Sequence, residues 1–289
     1  MSLDIQKDVV IWLQSFRNVF TEFFFSFVSF FGDPEFYIIL LAFVYWVLSK
    51  KAGEFMAIAL GTTVSLNNLL KGVFMINRPF QTYPEIENLR DYAATGSSFP
   101  SGHVQNSATL FFSLAMYFKK RYLWVLAIVL SVLMSLSRLF LGLHYPIDVV
   151  VGALLGLAVP LLFYVLFKHF SDRLPALYTL IVLLFFPAFF FITENDFFRG
   201  YGILVGFILA ILFEKRYVNF SMQISPLKKL LRYGIGLIFI VLTMELIGLF
   251  FGIFTVSTFW ANTFDFIRFF FVAFVGFGLY PMFFKRFNF

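Results

Sequence analysis

The chain has 289 residues, of which 61% are hydrophobic and 13% charged. A soluble domain averages about 45–50% apolar and about 25% charged, so the excess here describes a polytopic membrane protein with no sizeable soluble domain. The absence of cysteine excludes disulfides, thiolate metal sites and a cysteine nucleophile. The net charge of +6 is read as positive residues that hold loops on one side of a membrane, with no nucleic-acid partner.

In chain order, residues 11–31 are apolar but carry Gln14, Arg17, Asn18 and Glu22. They are either an extra span or an amphipathic helix lying at the interface. There is no cleavable signal sequence. Apolar runs then predict spans at 35–49, 54–75, 104–118, 122–142, 147–167, 175–193, 200–213, 231–254 and 265–284. The total is nine or ten. The basic clusters Lys50-Lys51, Lys119-Lys120-Arg121, Lys168 with Arg173, Lys215-Arg216 with Lys228, Lys229 and Arg232, and Lys285-Arg286 fall on one side of this alternation. That side is expected to be cytoplasmic. Asp33, Glu35, residues 76–103 and residues 138–148 fall on the other.

The two polar loops hold most of the unusual chemistry. Lys71 stands near the outer end of its span, and six residues separate it from Arg78-Pro79. Taken alone, these cations read equally well as side chains snorkelling to the interface. Asn67 and Asn68, in the same span, are expected to hydrogen-bond between helices. Pro100-Ser101-Gly102-His103 directly precedes a span. Taken alone, it is a turn with Ser101 as the helix cap, but capping does not call for His103. Ser137-Arg138 is followed after five residues by His144-Tyr145-Pro146-Ile147-Asp148. Pro146 suits the first position of a helix, which puts Asp148 in its first turn, within reach of His144.

Together these elements meet the needs of phosphoryl transfer. A phosphate ester calls for dense positive charge and N–H donors. Lys71, Arg78 and Arg138 supply three cations, and Ser101 with the 102–103 amides adds donors. One imidazole can attack phosphorus, a second can protonate the departing alkoxide, and Asp148 can fix the tautomer of one of them. His169 reads as an ordinary loop residue. Glu245, inside a predicted span, is either a functional carboxyl or one protonated or paired within the bundle.

The set Lys-x6-Arg-Pro, Pro-Ser-Gly-His and Ser-Arg-x5-His-x3-Asp, complete and in order, resembles the signature of the type-2 phosphatidic acid phosphatase superfamily. The resemblance covers about residues 35–168. It implies an all-α transmembrane helical bundle with a six-helix phosphatase core, and chemistry without metal or cofactor. It implies His144 as nucleophile, Asp148 as its orienting partner, and His103 as acid and then base. Lys71, Arg78, Ser101, Gly102 and Arg138 would hold the phosphate. The organisation expected is an N-terminal interfacial helix or extra span at 1–34, the phosphatase core at 35–173 and additional transmembrane helices at 174–289. By size and topology the chain is similar to the larger glucose-6-phosphatase and sphingosine-phosphate phosphatase relatives. The added helices hold no second polar constellation, and shaping lipid access, forming a homodimer surface and enlarging the bundle all stay open. The function expected is hydrolysis of a lipid phosphate or diphosphate at the extracytoplasmic face through a phosphohistidine. A lipid phosphotransferase, a sugar-phosphate phosphatase and, further off, a lipid transporter are the alternatives.

Overall fold

The computed structural model describes residues 3–90 and 96–286, which are helical with connecting turns. The helices are α1 (Leu3–Gln14), α2 (Val19–Phe30), α3 (Pro34–Phe43), α4 (Lys50–Phe74), α5 (Pro79–Thr82), α6 (Gly102–Phe118), α7 (Arg121–Phe140), α8 (Pro146–His169), α9 (Leu174–Phe185), α10 (Asn195–Phe213), α11 (Pro226–Gly252), α12 (Thr258–Phe274) and α13 (Met282–Arg286). Single π-helical turns extend α3, α10 and α12.

Among the described residues, six stretches are long and apolar enough to cross a membrane: Arg121–Phe140, Pro146–His169, Ser171–Phe190, Asn195–Val218, Pro226–Gly252 and Thr258–Phe284. Val19–Phe30 and Pro34–Leu48, bent by 49° at the break between them, would make a seventh. The protein is thus an integral, multi-pass membrane protein. The remaining expected spans, 54–75 and 104–118, are also helical, but their helices are more polar or shorter. α4 carries Lys50, Lys51, Glu54, Asn67, Asn68 and Lys71, and α6 has 17 residues.

Residues 11–31 do not form one helix. The chain breaks after Gln14, and Asn18 starts α2 by accepting hydrogen bonds from the backbone N–H groups of Phe20 and Thr21. The Thr21 hydroxyl in turn accepts from the Asn18 N–H. This reciprocal cap satisfies N–H groups that a helix start otherwise leaves unpaired. The short polar stretch at 17–18 is therefore a helix boundary.

The chain packs as two units. One comprises Met1–Tyr37 and Leu66–Leu162, and the other Ile38–Ser65 and Phe163–Phe289. In the first, α6 is buried along nearly its whole length and packs on α7. Val10 of α1 joins Ile86, Val104, Met134, Leu139 and Val149 in one buried cluster. The N-terminal helix is therefore part of this core, and polar contacts fasten it as well. The Gln14 amide donates to Glu87 O and Phe140 O, at 2.8 and 3.1 Å, and Ile147 N donates to Gln6 Oε1 at 3.1 Å.

In the second unit α10 packs along α12. Tyr45, Phe207 and Phe277 meet edge to face or tilted in its interior. Its buried charges are paired. Lys215 Nζ lies 2.5 Å from Glu54, and Lys50 Nζ lies 2.6 Å from Glu214. The buried Arg232 guanidinium sits over the rings of Phe220 and Phe284 and donates to Trp46 O and Ser221 O. Each pairing offsets a desolvation cost that an isolated buried charge could not bear. Glu245 lies exposed on α11, beside Met244, whose carbonyl accepts from Arg268 Nε.

Candidate active site

Within the first unit, the site is built where three chain segments meet. The turn after α4 carries Arg78, the segment Gly96–Ser101 leads into α6, and the loop between α7 and α8 carries His144. The first two are stitched together by hydrogen bonds. Ser98 N donates to Ile76 O at 2.7 Å, and Ile76 N donates to Ser97 Oγ at 2.8 Å. The second is tied to α8, because Ser101 N donates to the Asp148 carbonyl at 3.0 Å. The α7–α8 loop is closed by Leu143 N donating to Arg138 O at 3.1 Å.

That loop turns at Gly142, whose φ is +73°. A Cβ there would stand 2.2 Å from the Glu87 carbonyl oxygen. Left-handed backbone costs an L-residue about 1–2 kcal/mol, and the clash with fixed backbone adds to it. Gly142→Ala should therefore destabilise the protein by at least about 1–2 kcal/mol and displace His144, two residues on. Thermal unfolding in detergent would register this, and an unchanged midpoint would contradict it.

His144 is buried. Its Nδ1 faces Asp148 Oδ2 at 3.4 Å, and its Nε2 faces Arg78 Nη1 at 3.4 Å. A guanidinium can only donate, so Nε2 presents its lone pair and Nδ1 carries the proton. Asp148 is itself held in place: its Oδ2 accepts from Ser98 Oγ at 2.6 Å and from Tyr145 N at 2.9 Å. Burial, and after it the charges of Arg78, Arg138, Lys71 and His103, push the His144 imidazole well below its usual range and keep it neutral. The cations Arg78, Arg138 and Lys71 thus bear on one ring.

The three cations are buried and differently anchored. Lys71 Nζ donates to Ser97 O at 2.8 Å. Arg78 donates from Nε to Gly96 O and from Nη1 to Leu143 O, both at 3.1 Å. Arg138 Nη1 donates to Ser29 Oγ on α2 at 2.7 Å. Ser101 is the N-cap residue of α6, yet its side chain makes no capping bond. Its buried hydroxyl has no hydrogen-bond partner among the described residues. Gly102 approaches the Asn67 amide closely, and that amide donates to Pro100 O at 3.2 Å and to Gln105 Oε1 at 2.7 Å. Asn67 thus bonds between helices, as expected of it. His103 Nε2 lies 3.0 Å from Asp33 Oδ1, and Arg90 Nη2 lies 2.7 Å from Asp33 Oδ2.

Two family descriptions match this sequence. Residues 54–172 match the PAP2 superfamily, and residues 198–289 match the transmembrane extension of PAP2 superfamily phosphatases. The chain carries a PAP2 superfamily domain and that superfamily's transmembrane extension.

The residues of the three motifs, from Lys71 to Asp148, lie within the matched range and in the first packing unit. The chain is 33% identical over 108 residues to the undecaprenyl-diphosphatase of Sulfolobus acidocaldarius, covering 37% of this chain and 52% of that protein. It is 28% identical over 162 residues to a probable sphingosine-1-phosphate phosphatase of Dictyostelium discoideum, covering 52% of this chain and 39% of that protein. The chain thus spans about half or less of these relatives. The crystal structure of Aquifex aeolicus LpxE shares the fold, with a TM-score of 0.50 and 21% identity over 55% of this chain and 94% of that one.

Asp33, Arg90, Ser98 and Ser29 have no place in the three motifs. In the sequence Asp33 stands out only as a charge between apolar runs. Ser29 lies inside one, and Ser98 in a loop rich in small polar residues. His169 is exposed, with its ring nitrogen against Val165 O of its own helix.

Proposed function

We propose that the protein hydrolyses the phosphate of a membrane lipid, with His144 Nε2 as the nucleophile. The observation that carries this is the state of that ring. Its Nδ1 faces the Asp148 carboxylate, and its Nε2 faces Arg78, the cation that would hold the phosphate. Lys71, Arg78 and Arg138 would neutralise the phosphate oxygens, with Ser101 and the amides at Gly102 adding donors.

In the first half-reaction the Nε2–P bond forms and the ester P–O bond breaks. The alkoxide leaves with the bonding pair and takes a proton from His103. The phosphoimidazole is cationic, and the Asp148 carboxylate facing Nδ1–H stabilises it. In the second half-reaction water attacks phosphorus while His103 takes its proton. The N–P pair returns to His144, and inorganic phosphate is released. The buried cations supply the charge that a metal would otherwise bring.

The lipid class is supported by the relatives, one named for a prenyl diphosphate and one for a sphingoid phosphate. It is supported too by helices that expose long apolar faces. The one-sided distribution of Lys and Arg supports a site on the extracytoplasmic side.

The test is phosphate release by the purified protein from sphingosine phosphate, a prenyl diphosphate and phosphatidic acid, with and without EDTA. Release from at least one of them, undiminished by the chelator, is expected. Loss of activity with EDTA would overturn the metal-free chemistry. Label passing from donor to a second lipid, with little free phosphate, would make the enzyme a transferase.

A further inference from the structure

His144 has its carboxylate four residues away, inside a recognised motif. His103 has one too, and it comes from outside all three motifs. We propose that Asp33 is a positioning residue for His103, holding the ring by its Nε2–H and supporting the imidazolium that protonates the departing alkoxide. This rests on the phosphatase reading above.

The geometry is built from both sides of Asp33. Its Oδ1 lies 3.0 Å from His103 Nε2 and its Oδ2 lies 2.7 Å from Arg90 Nη2, so both oxygens are engaged. Both side chains of the Asp33–His103 pair are largely buried, at 15% and 19% exposure. Burial by itself would raise the Asp33 carboxyl, but the hydrogen bond from His103 and the charges of His103 and Arg90 outweigh it and keep it ionised. The residue before it is equally specific. A Cβ on Gly32 would stand 2.7 Å from His103 Cδ2 and 2.9 Å from His103 Cβ. The turn between α2 and α3 thus lies against the edge of the ring, with Gly32 giving it room and Asp33 taking its nitrogen.

The chemistry needs such a partner. Three buried cations stabilise phosphate, and the same field opposes a proton on a neighbouring imidazole. Burial, and after it the charge of Arg138, press the pKa of the His103 ring down to about 3 even with Asp33 at its Nε2. The ring therefore gains its second proton only when the negative charge of a bound phosphate offsets the cations, with Asp33 supplying the rest of the counter-charge. With Asp33 accepting from Nε2–H, the imidazolium keeps a second N–H, at Nδ1, for the ester oxygen. Once that proton is given, Nδ1 has the lone pair that takes the proton of the attacking water. The Nε2–H bond to Asp33 persists through both halves, as it does for the carboxylate-held imidazole of a hydrolase triad.

The test compares a poor and a good leaving group. Wild type, Asp33→Asn, Asp33→Glu and His144→Ala are assayed in detergent on decyl phosphate and on 4-nitrophenyl phosphate. Asparagine keeps the acceptor oxygen and removes the charge. Asp33→Asn is expected to lose about 10²-fold in kcat/KM on decyl phosphate, whose alkoxide needs the proton. It should lose less than about tenfold on 4-nitrophenyl phosphate, whose leaving group does not. Asp33→Glu should recover part of the difference. Equal losses on both substrates, or no loss on decyl phosphate, would overturn the proposal. Should Asp33→Asn not fold, the ring ¹⁵N resonances of wild-type His103 decide it. A neutral ring with the proton on Nε2 is expected, and a proton on Nδ1 sinks the idea. A wild type inactive on every phosphate, or an active His144→Ala, would instead count against the phosphatase reading, and the ¹⁵N measurement would still stand.

Discussion

His144→Gln should release phosphate about 10⁴-fold more slowly than wild type or worse, the scale on which removal of a nucleophile abolishes covalent catalysis. Glutamine fills much of the same space and offers polar atoms near Asp148, so the core around Tyr145 and Leu143 has no reason to open. What it lacks is the nitrogen lone pair that Nε2 presents beside Arg78 Nη1. The cations remain, so a phosphate ester should still bind. The decisive measurement is a trapped intermediate. Wild type mixed with ³²P-labelled substrate and quenched in base should carry protein-bound label that is lost in acid, as a phosphoramidate is. His144→Gln should carry none. His103→Gln, assayed with 4-nitrophenyl phosphate, should accumulate more label than wild type, because water then attacks without a base. Full activity in His144→Gln would end the proposed mechanism.

Asp148→Asn is expected to cost roughly 10²–10⁴-fold in kcat. The oxygen at the Oδ2 position faces three groups: Ser98 Oγ, Tyr145 N and His144 Nδ1. The Tyr145 N–H can only donate, so the amide must place its oxygen there and its NH₂ at the Oδ1 position. The ring tautomer is thereby kept, and the negative charge is lost. Since the phosphoimidazole is cationic and the neutral ring is not, the loss falls on the steps that form and resolve the intermediate. KM should change much less than kcat. A rise in KM with kcat preserved would mean that Asp148 acts on substrate binding instead. Ser98→Ala removes one of the two donors that hold Asp148, and its smaller effect should lie in the same parameter.

Several features were legible without a structure because they are local. Apolar length identifies a helix that can cross a membrane, and the runs from 122 onward behave so. Pro146 opens the helix and puts Asp148 in its first turn, four residues after His144, which predicts their contact from local chain geometry. The cap at Asn18 was in principle legible as well, since Asn followed three residues later by Thr resembles a capping box. The surrounding apolar residues concealed it. Glu245 shows the limit of such reasoning. Composition places it inside a span, but only packing determines that it lies exposed on α11.

What the amino-acid order determined by itself is the set of helices and the identity of the groups fit for phosphate chemistry. A run of apolar side chains and a motif such as Pro-Ser-Gly-His are properties of neighbours in the chain. The tertiary structure decided which polar residue serves which. Asp33 meets His103 across 70 positions and Ser29 meets Arg138 across 109, and Ser101 is excused from the capping role its position suggests. Nothing local distinguishes Asp33 from Glu35 or Ser29 from Ser26. The choice is made when burial forces every polar group in a close-packed interior to find its partner.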